Sequence, residues 1–225
     1  MSIHDAAMPL RRKYKVLIVD DHPIVRRGLA DLIGSRADLE ICGEADGVAE
    51  ALRQVEAAPP DLVLVDLTLR GGHGLKLIEA IADRHPQVKA LVSSMHDESL
   101  FAERALRAGA SGYISKQEPP ERLIEALRQV LRGEIYLSPR MAGRLLHRVT
   151  SGEALDKTPV ESLSDRELEV FQMIGQGQTT KQIAQTLSLS HKTVEAHREK
   201  IKAKLCLKNS SELSRHATLW VLENG

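Results

Sequence analysis

Five short apolar runs alternate with helical segments along the first 132 residues. The runs cover 16–19, 39–42, 62–65, 90–92 and 112–114. Their apolar residues are consecutive, which is typical of strands buried on both faces. The segments near 23–34, 47–57, 74–84, 99–108 and 119–132 have helical spacing. This alternation predicts a doubly wound, flavodoxin-like α/β domain, in which a five-stranded parallel sheet of order 2-1-3-4-5 is covered on both faces.

The rest of the chain follows other patterns. Residues 1–14 are polar and basic and predict a disordered tail before an α/β domain over 15–132. Residues 133–161 are rich in turn-forming and charged residues, which indicates a linker with one short helix near Met141–Val149. Residues 162–225 contain no strand pattern and predict a small all-α domain of four helices.

Carboxylates stand at the ends of two strands that are neighbours in the predicted order. Asp20 and Asp21 end the first strand, and Asp66 ends the third. Ligands of such sheets bind outside the carboxyl ends of the strands, so we expect the three carboxylates to converge in one crevice. Converging like charges repel unless a cation is bound, and oxygen ligands suit Mg²⁺. The sequence therefore predicts a magnesium site at this edge of the sheet.

The same edge carries groups suited to a phosphoryl ligand. Ser94 follows the fourth strand and Lys116 follows the fifth. A hydroxyl and an ammonium beside a carboxylate–Mg²⁺ site supply donors and neutralise charge. The chemistry indicated is nucleophilic attack by Asp66 on a phosphoryl donor to give an aspartyl phosphate. Each residue alone is weak evidence, because an Asp after a strand is usually a cap and a Lys usually surface charge, but the ordered set is specific.

With these residues in place, residues 15–132 resemble the receiver domain of two-component response regulators. The resemblance implies that Asp66 is the phosphoacceptor and that a sensor histidine kinase is the partner. It also implies a set of Mg²⁺ ligands made of Asp20, Asp21, Asp66 and the backbone carbonyl of Thr68.

The resemblance assigns further roles around the phosphoryl group. Ser94 and Lys116 would contact it, and Tyr113 matches the aromatic switch whose rotamer follows Ser94. Arg70 departs from the family, because most receivers have Pro at this position.

The C-terminal segment contains two capped helices joined by a turn. Ser164 and Glu167 form a capping box at the start of one helix, and Thr179 or Thr180 caps the next. Ser190 then precedes a cation-rich helix over His191–Lys204. This arrangement is the signature of a helix-turn-helix.

The helix over His191–Lys204 has two distinct faces at about 100° per residue. One face is mostly apolar and is predicted to face the bundle: Val194, Arg198, Ile201 and Leu205. The opposite face carries the candidates for contact with base edges: Lys192, Glu195, Ala196 and Glu199. Polar residues around it are candidates for phosphate contacts: Thr179, Thr180, Lys181, Thr193, His197, Lys200, Lys202 and Lys204. A solvated helix face is the alternative, which the preceding turn and cap disfavour.

Residues 163–213 closely resemble the LuxR-type helix-turn-helix of response regulators of the NarL/FixJ group. The shared pieces are LSDRELEV, GQGQ, KQIAQTL and HKTVEAHREKIKAKL. The resemblance implies that His191–Lys204 lies in the major groove of double-stranded DNA, and that the protein forms a homodimer on phosphorylation or on DNA. The helix that begins at Asn209 would supply the dimer contacts Leu213, Ala217 and Trp220. For Leu213 and Ala217, closing the small bundle is an equally good interpretation.

Overall charge gives no support for DNA binding, since 31 basic residues balance 31 acidic ones. The charge is segregated, however: residues 191–208 hold six Lys or Arg against two Glu. A lone module should therefore bind DNA weakly, and affinity should depend on pairing two modules.

Location and redox state are predicted from what the sequence lacks. It has neither a signal-peptide pattern nor an apolar stretch that could span a membrane, so we expect a cytoplasmic protein without a membrane partner. Cys42 and Cys206 are interpreted as buried, unpaired thiols in a reducing compartment.

The leading hypothesis is a transcription regulator, not an enzyme, that phosphorylation of Asp66 switches between states of dimerisation and promoter binding. Phosphatases of the haloacid-dehalogenase type form the same intermediate, but they need an acid two residues after the nucleophile, where this chain has Thr68. The third hypothesis is a regulator that binds DNA irrespective of phosphorylation and uses its receiver only to dimerise.

Overall fold

A computed structural model describes residues 12–69, 72–150 and 159–224 of the chain. The predicted tail, Arg70 and most of the predicted linker at 151–161 therefore lie wholly or largely outside the described residues. The strands are β1 (Tyr14–Val19), β2 (Leu39–Ala45), β3 (Leu62–Val65), β4 (Thr68–Leu69), β5 (Gly72–His73), β6 (Lys89–Ser94) and β7 (Gly112–Ser115). Five of them form a parallel sheet of order β2-β1-β3-β6-β7, which confirms the predicted topology. The short antiparallel pair β4–β5 was not expected from the sequence.

Helices cover both faces of this sheet. The first five are α1 (Pro23–Gly34), α2 (Val48–Ala57), α3 (Gly74–Arg84), α4 (Glu98–Arg107) and α5 (Pro120–Leu131). In β1, Val16 and Ile18 pack in the core that contains α1 and α5 residues. Leu17 and Val19 pack in the opposite core, which contains residues of α2, α3 and α4. Burial on both sides explains why the strand sequences are continuously apolar.

The remaining helices are α6 (Pro139–Thr150), α7 (Asp165–Gly175), α8 (Thr180–Thr186), α9 (His191–Lys204) and α10 (Ser210–Asn224), and a short 3₁₀ helix (Pro159–Ser162) precedes α7. The predicted capping box is present, since the Ser164 hydroxyl accepts from the Glu167 amide while Glu167 accepts from the Ser164 amide. Helix α10 crosses α7 so closely that a Cβ on Gly175 would lie 2.5 Å from the Ala217 carbonyl oxygen. Packing of this kind leaves the small bundle little room for larger side chains.

The interpretation of both cysteines as buried was wrong. Cys42 and Cys206 are free thiols, as expected, but both are exposed. Cys42 lies on β2, the edge strand, where only the end residues Leu39 and Ala45 are buried. Cys206 follows the end of α9 with a φ of +56°, outside the packed helix.

Candidate functional site

The predicted polar residues do meet at the carboxyl end of the sheet. Asp20 follows β1 and Asp66 follows β3; the Asp66 amide donates to the Val19 carbonyl, which continues the strand pairing to the rim. Lys116 follows β7, and its amide donates to the carbonyl of Ser94. Strand pairing thus carries these side chains to one place, and both carboxylates are buried, 1% and 6% exposed.

One ammonium lies between two carboxylates at this rim. Lys116 Nζ is 2.5 Å from Asp20 Oδ2 and 2.6 Å from Asp66 Oδ2. Burial raises the pKa of Asp66 above its ordinary value, because the charge of Lys116 offsets only part of the desolvation. Burial opposes the charge on Lys116, but Asp66 and Asp20 outweigh it and raise the Lys116 pKa. The site therefore holds more negative than positive charge.

The donor set suits a divalent cation. Single ligand atoms of Asp20, Asp21, His22 and Asp66 lie within 4.8 Å of one another. Three carboxylates are ligands of the kind that Mg²⁺ prefers. The Asp21 Oδ1 atom is buried and makes no hydrogen bond among the described residues; His22 Nδ1 lies 2.7 Å away without hydrogen-bond geometry. The residues present therefore fit a magnesium ion.

Ser94 and Tyr113 both hold the loop that follows β6. The His96 amide donates to Ser94 Oγ at 3.2 Å, and the Tyr113 hydroxyl donates to the His96 carbonyl oxygen at 2.8 Å. Both side chains are fully buried. Burial raises the pKa of Tyr113 well above its usual value, so the phenol keeps its proton. A change at Ser94 would therefore be transmitted to this loop.

Two residues of this site were missed by the sequence interpretation. Gly74 opens α3 so close to Asp66 that a Cβ there would lie 2.1 Å from the Asp66 carbonyl oxygen. The glycine-rich segment after Asp66 was a signal for such a close approach. His96 Nε2 lies 3.1 Å from Thr68 Oγ1, and the Thr68 amide makes a long bond of 3.4 Å to Asp66 Oδ1. Nothing in the sequence indicated the role of His96.

The second candidate site is the helix-turn-helix formed by α8 and α9. Thr179 caps α8 and Ser190 caps α9. Val194 and Ile201 are buried, as the helical wheel predicts. The exposed positions among the predicted DNA contacts are Lys181, Lys192, Ala196, Glu199, Lys200 and, in part, Lys204.

Several predicted DNA contacts already have partners within the protein. Lys204 Nζ lies 2.6 Å from a carboxylate oxygen of Glu167 and donates to the Ser162 carbonyl, so in this conformation it secures the start of α7. Glu195 accepts from the Thr180 hydroxyl at 2.8 Å. A free phosphate-binding Lys204 and a free base-reading Glu195 are thus not what the structure shows. Their short distance to these partners in the folded bundle is the reason.

Other predicted contacts are occupied locally. Thr179 and Thr193 exchange hydrogen bonds with the caps of their own helices, and Lys202 pairs with Glu199 at 2.9 Å. Burial and the charge of Arg166 lower the pKa of His197, which favours a neutral imidazole rather than a phosphate-binding cation. Lys192 and Lys200 are the exposed cations on which the prediction now chiefly depends.

The predicted dimer contacts need a correction. Leu213 and Ala217 are completely buried inside the bundle, so they close it and are not available to a second chain in this conformation. Trp220 is half-buried, with its ring 5.4 Å from that of Phe171. The exposed apolar side chains of α10 are instead Leu219 and Leu222.

Comparison with known proteins agrees with both sites. Residues 16–128 match the response regulator receiver domain, and residues 161–217 match the bacterial regulatory proteins of the luxR family. The oxygen regulatory protein NreC of Staphylococcus carnosus is 37% identical over 208 residues, which cover 90% of this chain and 96% of that protein. NreC of Staphylococcus aureus is 38% identical over the same shares.

Solved structures give the same result. A two-component response regulator of the LuxR family from Aurantimonas shares 35% identity, with a TM-score of 0.58 over 62% of this chain and 99% of that one. RcsB of Salmonella enterica, bound to promoter DNA with a phosphomimetic, shares 24% identity, with a TM-score of 0.60 over 92% of this chain and 99% of that one. At that identity RcsB supports the fold alone.

The fold and the two sites define a DNA-binding response regulator, in which a receiver precedes a helix-turn-helix. The chain belongs to the response regulators that carry a LuxR-type DNA-binding domain. Among the described residues, no helix combines the length and apolarity needed to cross a membrane.

Proposed function

We propose that a sensor histidine kinase phosphorylates this protein on Asp66 and so controls its binding to promoter DNA. The observation that carries the proposal is the position of Asp66, which is buried beside Asp20 and in contact with Lys116 at the carboxyl end of the sheet. Such a regulator acts where the chromosome is, in the cytoplasm. Asp66 is a stoichiometric acceptor here, so we infer a switch and not an enzyme.

The phosphoryl transfer follows from the residues at the rim. A carboxylate oxygen of Asp66 forms a bond to phosphorus as the bond from phosphorus to the donor imidazole breaks, and the imidazole nitrogen keeps the electron pair and takes a proton. Asp66 must be ionised to attack, so the ammonium of Lys116 is needed against the effect of burial. Mg²⁺ held by Asp20, Asp21, Asp66 and the carbonyl of Thr68 would neutralise the phosphoryl oxygens. Ser94 and Lys116 would bind those oxygens after transfer.

Recognition of DNA is assigned to the exposed face of α9. Lys192, Ala196 and Glu199 present to the major groove the donors, methyl group and acceptors that can distinguish base edges. Lys181 and Lys200 are placed to bind backbone phosphates. Few free cations remain on the module, so we propose that two copies bind adjacent half-sites as a homodimer.

The test uses the full chain with acetyl phosphate and Mg²⁺, with Asp66→Asn in parallel. Asp31→Asn is the matched control, because Asp31 is an exposed aspartate of α1. We expect an adduct of about 80 Da, one phosphoryl group on a carboxylate, in the wild type and in the control but not in Asp66→Asn. Dimerisation and duplex binding should rise together with the adduct.

Two outcomes separate the alternatives. Absence of the adduct from the wild-type chain would contradict the proposal. An adduct that leaves both oligomeric state and binding to DNA unchanged would favour a regulator that acts irrespective of phosphorylation.

A further inference from the structure

Glu169 of α7, in the DNA-binding module, is completely buried against the receiver. Its Oε1 atom lies 3.1 Å from His96 Nε2 and 3.2 Å from His73 Nε2, and it accepts a long bond of 3.5 Å from the Thr68 hydroxyl. Its other oxygen accepts from Arg166 of the same helix at 2.7 Å. We refer to the interactions of Glu169 with Thr68, His73 and His96 as the Glu169 contact.

The Glu169 contact holds a charge inside the protein. Burial opposes ionisation of Glu169, but the contacts with His73 and His96 outweigh it and hold its pKa far below the ordinary value. His73 Nδ1 accepts from the Leu75 amide, so the proton of a neutral His73 is on Nε2, the atom that faces Glu169. A buried carboxylate that lost such partners would be strongly destabilised unless water reached it. The contact therefore favours a closed arrangement of the two domains.

The receiver groups in this contact belong to the segments that surround the phosphorylation site. Thr68 is two residues after Asp66, and its amide faces Asp66 Oδ1. His96 is two residues after Ser94 and is bonded through its backbone to both Ser94 and Tyr113. Any rearrangement of these segments around a phosphoryl group must therefore displace atoms that bind Glu169.

A second polar contact joins the same two domains. Arg104 of α4 donates to Asp165 Oδ1 at 3.0 Å and to the Leu163 carbonyl at 2.9 Å. His96 Nδ1 also lies 3.3 Å from the side-chain oxygen of Gln172. The start and the middle of α7 are thus both fixed to the receiver, and variants of Arg104 can test the closed arrangement without altering the phosphorylation site.

The closed arrangement leaves the recognition face exposed. Lys192, Ala196, Glu199 and Lys200 of α9 are all accessible to solvent. Shielding of these side chains by the receiver is therefore not how closure acts on the protein. What closure fixes is the position of α7 and, through Glu169, the loops beside Asp66.

We propose that the Glu169 contact opposes phosphorylation of Asp66, and that phosphorylation in turn breaks the contact and releases α7. The inference rests on the proposed role of Asp66. The two effects are reciprocal, because a contact that phosphorylation weakens must by linkage disfavour phosphorylation by the same factor. The DNA-binding module thus acts on the receiver as much as the receiver acts on it.

The experiment compares the full-length wild type with Glu169→Gln, which keeps the shape of the side chain and removes its charge. Dyes on Cys42 and Cys206, which are free, exposed and in different domains, report domain separation by energy transfer. Beryllofluoride with Mg²⁺ is the phosphoryl mimic. We expect energy transfer to fall in the wild type on addition of the mimic, and to be low in Glu169→Gln without it. Phosphorylation of Glu169→Gln by acetyl phosphate should reach an extent at limiting donor corresponding to at least about five-fold tighter coupling.

Arg104→Glu provides a second route to the open form that does not touch Glu169. Combined with Asp165→Arg it should restore closure and the wild-type extent of phosphorylation, because the ion pair is re-formed with reversed sign. Arg107→Glu is the matched control, since Arg107 lies on the same helix but pairs with Glu103. Wild-type energy transfer and phosphorylation in both Glu169→Gln and Arg104→Glu would overturn the inference. A wild type that forms no adduct would instead contradict the proposed function, while energy transfer would still report whether Glu169 closes the domains.

Discussion

The phosphorylation site and the recognition helix both carry clustered charges, but in different surroundings. At the phosphorylation site, Asp20, Asp66 and Lys116 are withdrawn from water and lie within hydrogen-bond distance of one another. On α9, Lys192 and Lys200 are in solvent. Buried charges interact strongly and must be paired, whereas exposed charges are screened and can wait for a ligand. The first site is preorganised by the fold, and the second is completed only by DNA.

The largest expected effect concerns the buried cation. Lys116→Met keeps the volume of the side chain but leaves two buried carboxylates without their ammonium, which should lower the free energy of unfolding by about 3 kcal/mol in the absence of divalent cations. Mg²⁺ should recover much of this loss, because it replaces the missing positive charge. Urea unfolding with and without Mg²⁺ measures both effects.

Lys76→Met is the control for this change. Lys76 makes an exposed ion pair with Glu79, so its loss should change stability by less than about 1 kcal/mol. If Lys116→Met were no more destabilising than Lys76→Met, the contrast between buried and exposed charges would be broken.

A smaller effect distinguishes two lysines of the same helix. Lys200→Ala should reduce the slope of log affinity against log salt by about 0.9, the value for one phosphate contact on duplex DNA. Lys204→Ala should leave this slope nearly unchanged, because Lys204 is held by Glu167. Titration of a random-sequence duplex at several salt concentrations measures both slopes. Equal losses of slope in the two variants would show that the Lys204–Glu167 pair opens on DNA.

The fold of the receiver and the positions of its site residues were predictable from sequence for a physical reason. Strands buried on both faces must be continuously apolar, so the first polar residue after each run marks the rim of the sheet. Asp20, Asp66, Ser94 and Lys116 all lie where this reasoning puts them. Strand order then follows from short right-handed connections.

What could not be predicted depends on pairs that are distant in sequence. Glu169 meets Thr68 and His96 only because the two domains pack together. Lys204 meets Glu167 across the bundle, and an isolated helical wheel does not show that partner. The pattern of α10 likewise could not decide whether Leu213 faces the bundle or a second chain.

The smallest expected effect concerns a purely local feature. Ser164→Ala removes the cap of α7 and should lower the free energy of unfolding by about 1 kcal/mol. Ser211→Ala, at an exposed position inside α10, should change it by less than about 0.5 kcal/mol. Thermal unfolding of the full chain compares them. Equal stability of the two variants would show that the capping box contributes nothing beyond the tertiary packing of α7.

Reduction of the phosphorylated protein with borohydride tests the central claim most directly. Borohydride converts an aspartyl phosphate to homoserine, which fragment masses assign to one position in the chain. After treatment with acetyl phosphate and Mg²⁺, the account predicts homoserine at position 66 and unchanged aspartate at positions 20 and 21. Homoserine at another aspartate, with Asp66 intact, would contradict it.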